Sequence, residues 1–66
     1  MWKVYKWNGR FIQGDLISKH RSEDAAIMRA KKEINFIFAE KVKSGNETLI
    51  WLDDEDHDPI GVIVKE

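Results

Sequence analysis

One acidic run contains most of the side chains in this sequence that could bind a metal ion or transfer a proton. It is Asp53-Asp54-Glu55-Asp56-His57-Asp58. Alternate carboxylates of the run match positions 1, 3 and 5 of a calcium-binding loop, where they direct oxygens at the cation. These residues are Asp54, Asp56 and Asp58. The match then fails, because Pro59 replaces the glycine of the sixth position and Lys65 replaces the glutamate of the twelfth. We therefore favour an acidic connecting loop, which is compatible with weak binding of a divalent ion.

Other kinds of reactive site have little support in the sequence. The chain has no cysteine, and its two histidines, His20 and His57, lack the close spacing of a structural zinc site. No G-x-S-x-G elbow surrounds a serine, and the glycines are isolated rather than grouped in a phosphate-binding loop. We therefore predict a protein that is not an enzyme and that needs no metal and no cofactor.

The best functional candidate is the basic and aromatic segment at the start of the chain. Trp2-Lys3-Val4-Tyr5-Lys6-Trp7 alternates as a strand does, and Asn8-Gly9 favours a two-residue hairpin turn that makes Tyr5 face Ile12. One side of this hairpin carries Lys3, Tyr5, Trp7 and Arg10. Because aromatic rings stack on unpaired bases and cations contact phosphates, this side is suited to single-stranded nucleic acid. The interpretation that we favour places the same rings in the core, beneath a helix.

The sequence predicts that this helix begins after Ser22, a good N-cap, with Glu23 and Asp24 in the first turn. One apolar stripe then recurs at helical spacing. It consists of Ala26, Ile27, Ala30, Ile34, Ile37 and Phe38. Ser44-Gly45 is the predicted end. Phe36 lies near the opposite side of such a helix and becomes a candidate contact with another subunit.

Two apolar segments follow the predicted helix, and both are typical of covered strands: residues 47–53, and residues 59–64 with Pro59 at the first position. A glycine at position 14 also indicates a bulge or bend in the second strand. The predicted fold is α+β, in the order β-β-α-β-β. Its four-stranded, largely antiparallel sheet has one helix packed on one face. Residues 1–66 form a single small domain in this interpretation, and the strand order stays open.

Composition limits the function further. Residues 1–32 carry eight basic and three acidic side chains, whereas residues 33–66 carry three basic and nine acidic ones. Separate basic and acidic patches are one consequence, and interleaving of the two halves is the other. No apolar run reaches the roughly 18 residues of a membrane span, so we expect a soluble cytoplasmic protein that does not bind membranes.

The number of large rings suggests what the protein does. Trp2, Trp7, Phe11, Phe36 and Trp51 exceed what one helix can shelter in a domain of this size. We therefore predict a small non-catalytic binding or assembly module that uses a sheet face or edge to bind a protein partner or itself. A homodimer and a monomer fit equally well. The alternative is single-stranded nucleic-acid binding through the basic aromatic hairpin.

Overall fold

Five strands and one helix make up the fold in a computed structural model, which describes residues 1–9 and 14–65. The elements in chain order are β1 (Trp2–Lys6), β2 (Asp15–His20), α1 (Glu23–Ile34), β3 (Phe38–Ser44), β4 (Glu47–Asp53) and β5 (Pro59–Lys65). All strand pairs are antiparallel, and the sheet has the order β2-β1-β5-β4-β3. The α+β class is as predicted, but the sheet has five strands rather than four.

The helix begins as the sequence predicts. Ser22 is the N-cap, and its hydroxyl oxygen accepts a hydrogen bond from the backbone N–H of Ala25 at 3.2 Å. Glu23 and Asp24 occupy the first turn, where their charges interact favourably with the positive end of the helix dipole. The predicted start of the helix at Ser22 is therefore confirmed.

Replacing Ser22 with alanine is expected to lower the free energy of unfolding by about 1 kcal/mol, because the Ala25 N–H loses its partner. Urea unfolding followed by circular dichroism measures the change. Ser44→Ala is the matched control, since Ser44 is exposed at the end of β3 and its removal should cost less than about 0.5 kcal/mol. Equal costs for the two variants would mean that the cap contributes nothing.

The prediction that the helix continues to Ser44 is wrong. It ends at Ile34, and Asn35 caps it in the left-handed conformation, with φ 54° and ψ 48°. The Asn35 N–H donates to the Lys31 carbonyl at 3.1 Å. Asparagine tolerates this backbone better than most residues, so it ends the helix as glycine often does.

A β-hairpin occupies the segment that was predicted to end the helix. β3 and β4 pair along their whole lengths, from Phe38 opposite Asp53 to Ser44 opposite Glu47. Only Gly45 and Asn46 connect them, and Gly45 has a φ of 62°. Glycine at the first central position of a two-residue turn is typical of type II′, whose twist matches that of the strands. Gly45 therefore closes a hairpin rather than a helix.

The main core lies between α1 and one face of the sheet, here called the first face. Its buried members are Trp2, Val4, Ala26, Ala30, Phe36, Ile50, Leu52 and Ile63. Ile27 and Ile34 pack against them, so the helical part of the predicted stripe is confirmed. Ile37 and Phe38 were predicted to continue this stripe, but they follow the helix and are exposed.

Phe36 is a further correction. It was predicted on the outer side of the helix as a subunit contact, but it follows the Asn35 cap and is only 8% exposed, in the main core. The Lys31 ammonium lies 4.8 Å from the centre of the Phe36 ring and donates a hydrogen bond to the Phe36 carbonyl oxygen. The left-handed cap turns the chain back toward the sheet, which is why this ring points inward.

The register of the first hairpin also differs from the prediction. Tyr5 lies opposite Leu16 and Lys3 opposite Lys19, so a tight turn at Asn8-Gly9 does not join the two strands directly. Residues 10–13, including the predicted partner Ile12, lie outside the described residues. The irregularity in β2 falls at Ile17, between the partners of Val4 and Tyr5, rather than at Gly14.

Candidate functional site

The candidate site is the face of the sheet opposite α1, here called the second face. In the part of the chain that the structure describes, α1 contacts β1, β2 and β5, and its buried residues belong to the first-face core. A separate apolar cluster lies on the second face. It contains buried Tyr5, Val62 and Val64, with half-buried Leu49 and Trp51 packed against them. Within residues 1–9 and 14–65, no helix lies over this cluster.

Strand pairing arranges the second face into two rows that cross all five strands in the order β2, β1, β5, β4, β3. The first row is Leu16, Tyr5, Val62, Trp51 and Glu40. The second row is Lys19, Lys3, Val64, Leu49 and Val42. Side chains opposite one another on neighbouring strands lie within contact distance. The centre of this face is therefore continuously apolar, while charged side chains lie toward its two sides.

Two tryptophans extend the apolar centre beyond the end of β1. The Trp7 and Trp51 rings are 5.4 Å apart, centre to centre, and meet edge to face at 76°. The backbone N–H of Trp7 donates a hydrogen bond to the backbone carbonyl of Ile60 at 3.1 Å, which continues the pairing of β1 with β5. Both rings are half-buried. Each therefore contacts its neighbours and keeps part of its surface accessible.

The sequence-predicted site residues are only partly brought together. Lys3, Tyr5 and Trp7 share one face, as predicted, and Arg10 lies outside the described residues. Phe36 is in the core of the other face. The interpretation that the helix covers Tyr5 is wrong, because Tyr5 belongs to the second-face cluster.

Sequence reasoning missed the residues that β3 and β4 contribute to the second face. Trp51 and Leu49 lie there with the buried valines of β5, and Val42 and Glu40 lie opposite them on β3. The alternation of residues 47–53 could have identified the β4 residues. No sequence pattern could have placed Val42 and Glu40 beside the β4 residues, because residues 38–44 were predicted to be helical.

β3 forms one edge of the sheet, and all seven of its residues are exposed. Phe38 stacks on the His57 ring, with ring centres 4.0 Å apart and an angle of 15° between the planes. On the first-face side of this strand, the Lys41 ammonium lies 2.7 Å from the Glu23 carboxylate of α1. This ion pair links the outer hairpin to the start of the helix.

The acidic loop has a compact structure of its own. One Asp54 carboxylate oxygen accepts hydrogen bonds from the backbone N–H groups of Asp56 and Asp58, at 2.9 and 3.0 Å. His57 has a φ of 63° between them. The three aspartates offer carboxylate oxygens within 4.8 Å of one another, a spacing that a hard cation could bridge. The turn itself already uses Asp54, and the calcium-loop match stays an untested alternative.

Comparison with protein-family models, curated proteins and solved structures gives no match for this chain. The described residues also contain no helix with the length and apolar character needed to cross a bilayer. The second face is therefore interpreted from its own geometry and chemistry.

Proposed function

We propose that this protein is a small non-catalytic assembly module, and that its second face packs against the second face of another copy. The observation that carries this proposal is the pair of in-register rows across the sheet. Their apolar residues continue to partly exposed side chains on both edge strands: Leu16 is 49% exposed and Val42 is 40% exposed. A contiguous apolar face of this kind typically marks an interface.

The size of the face supports this pairing. Five strands about 4.8 Å apart, with up to seven residues at about 3.3 Å each, span roughly 550 Å² per copy. Two such faces bury about 1,100 Å² or more, close to the lower limit of about 1,200 Å² for stable interfaces. Side chains of two packed sheets interdigitate when the sheets lie about 10 Å apart. The dimer would then be a two-layer sandwich with one helix on each outer side.

The half-buried tryptophans are well suited to contact a partner in such an interface. Trp7 and Trp51 support each other, so little side-chain entropy is lost when a partner covers them. Tryptophan is also among the residues that contribute most to the binding energy of protein interfaces. The pair therefore supplies rigid contact area at the end of the face where β1 is extended.

Single-stranded nucleic-acid binding stays the alternative prediction, and Lys3 beside Tyr5 and Trp7 is the feature in its favour. Two features support assembly over it. Tyr5 exposes only 8% of its surface, which leaves little ring area for a base to stack on. Glu40 lies on the same face and repels phosphate. The expected location is the cytoplasm, as the sequence suggested.

Light scattering over a range of concentrations tests the proposal. The wild-type mass is expected to rise from 7.8 kDa toward twice this value as the concentration enters the micromolar range. The double variant Leu16→Gln/Val42→Gln should weaken the dimer about 100-fold, because each residue is buried twice in a symmetric interface. Both side chains are already partly exposed, so the monomer should stay folded.

Met28→Gln is the matched control, since Met28 is 74% exposed on α1 and faces away from the sheet. It should dimerise as the wild type does. A wild-type mass of 7.8 kDa at every concentration up to about 1 mM contradicts the proposal, which expects dimers to form in the micromolar range. Salt-sensitive quenching of tryptophan fluorescence by an oligothymidylate, at that monomeric mass, would instead support the nucleic-acid alternative.

A further inference from the structure

Charges on the second face are divided between its two sides. Lys3 and Lys19 lie opposite each other on β1 and β2. Glu40 lies on β3, and strand alternation adds Glu47 and Asp53 of β4 to the same face as Leu49 and Trp51. The described part of this face is therefore basic on one side, acidic on the other and apolar between them.

These second-face charges are not used by ion pairs within the described residues. The ion pairs of residues 1–9 and 14–65 are Arg29 with Glu33, along the helix, and Lys41 with Glu23. The remaining basic residue near the acidic side, Lys43, lies on the first face, because it is two residues from Lys41 in the same strand. The charges of both sides are thus available to a partner.

Two symmetric arrangements bring second faces together with the strands nearly aligned. When the two-fold axis runs along the strands, β1 and β2 of each copy lie over β3 and β4 of the other. When the axis runs across the strands, each strand lies over its own counterpart. The first arrangement places the basic side of each copy over the acidic side of the other, and the second places basic side over basic side and acidic side over acidic side.

We infer, on the basis of the proposed function, that the partner is a second copy of this chain with the two-fold axis along the strands. Lys3 and Lys19 of each copy then face the acidic side of the other, so both rims of the interface are attractive. Complementary charge of this kind selects the orientation of two partners more than it adds affinity. The apolar centre supplies the affinity, and the charged sides determine how the copies are oriented.

The sign of the salt dependence is the first test. In the inferred orientation, raising sodium chloride from 50 to 500 mM screens attraction and is expected to raise the dimer Kd about fivefold. In the other orientation salt screens repulsion, so the Kd falls. Sedimentation equilibrium of the wild-type protein at the two salt concentrations measures this difference, and a fall in Kd overturns the inference.

Charge reversal is the second test. The variants Lys3→Glu/Lys19→Glu and Glu40→Lys/Glu47→Lys should each weaken their own homodimer about tenfold or more, because four rim contacts become repulsive. An equimolar mixture should recover the wild-type affinity, since both rims of the mixed dimer are attractive again. The other orientation predicts homodimers that are no weaker than the wild type, and a mixed dimer that is tighter.

The control Lys32→Glu/Lys43→Glu changes the net charge as much as the first variant does, but away from the second face. It should keep the wild-type affinity, and equal melting temperatures should show that all variants are folded. A wild-type protein that stays monomeric defeats the proposed function itself. A dimer whose Kd changes neither with salt nor with charge reversal contradicts only the inferred orientation.

Discussion

Replacing Leu52 with alanine is expected to lower the free energy of unfolding by about 3 to 5 kcal/mol. Leu52 lies in the first-face core and is among the largest of the fully buried side chains. The substitution removes apolar contacts and leaves a cavity that paired strands cannot easily close. A domain of this size is typically stabilised by only about 3 to 10 kcal/mol, so a large fraction of the variant should be unfolded at 25 °C.

Urea unfolding followed by circular dichroism measures the effect, at a protein concentration low enough to keep any dimer dissociated. Met28→Ala serves as the control, because Met28 is highly exposed on the helix and alanine suits that position. Its cost should stay below about 0.5 kcal/mol. If both variants unfold at the same urea concentration, Leu52 does not have the central place in the core that its burial indicates.

Gly14→Ala should be nearly as damaging, although it adds only one methyl group. A Cβ atom at this position would overlap the backbone carbonyl oxygen of Lys6 and lie 3.0 Å from the backbone nitrogen of Asn8. Backbone atoms cannot rotate aside as a side chain does, so the end of β1 and the residue that precedes β2 must move apart. We expect a loss of about 3 kcal/mol, at the upper end for overpacking.

Gly45→Ala is the matched control for this substitution. A Cβ atom there meets nothing within 4 Å, so its cost comes only from the positive φ of 62°. That conformational cost is about 1 to 2 kcal/mol for a residue with a side chain. Thermal melting of the two variants compares the two causes directly. A Gly45→Ala variant that melts below Gly14→Ala would contradict the close approach at Gly14.

The parts of the fold that local chemistry determines were predictable from the sequence. Ser22, Glu23 and Asp24 specify the start of the helix, because capping and helix-dipole effects act within one turn. The apolar residues of β4 and β5 likewise indicate covered strands, and Pro59 suits the first position of its strand. These signals do not depend on what the segments pack against.

The end of the helix was not predictable by the same means. Ile37 and Phe38 continue the helical stripe in the sequence, and no glycine or proline interrupts it before Gly45. The same segment also alternates as a strand, with Phe38 and Val42 on one side. Pairing with β4 over seven residue pairs decides between the two periods, and this pairing is a tertiary effect. Asn35 is the single local sign of the change.

Which face of the sheet the helix covers was also undetermined. Trp2 and Val4 on one side of β1, and Tyr5 and Trp7 on the other, are equally suited to a core. Gly61 of the central strand helps to explain the outcome. A Cβ atom on Gly61 would lie only 2.5 Å from the Ile34 side chain, so its absence permits close packing of the helix. The first face therefore has room for the helix where Gly61 lacks a side chain.

The position of β5 has a consequence for synthesis of the chain on the ribosome. β5 pairs with β1 on one side and with β4 on the other, and it connects the hairpin of β1 and β2 to the hairpin of β3 and β4. Each hairpin can form from its own residues, but the two hairpins can join into one sheet only when β5 is available. Because the pairing of β1 with β5 links distant parts of the chain, this last step should limit the folding rate. During synthesis the chain would therefore expose Ile50 and Leu52 until β5 has left the exit tunnel, and chaperones that bind apolar segments could act during that interval.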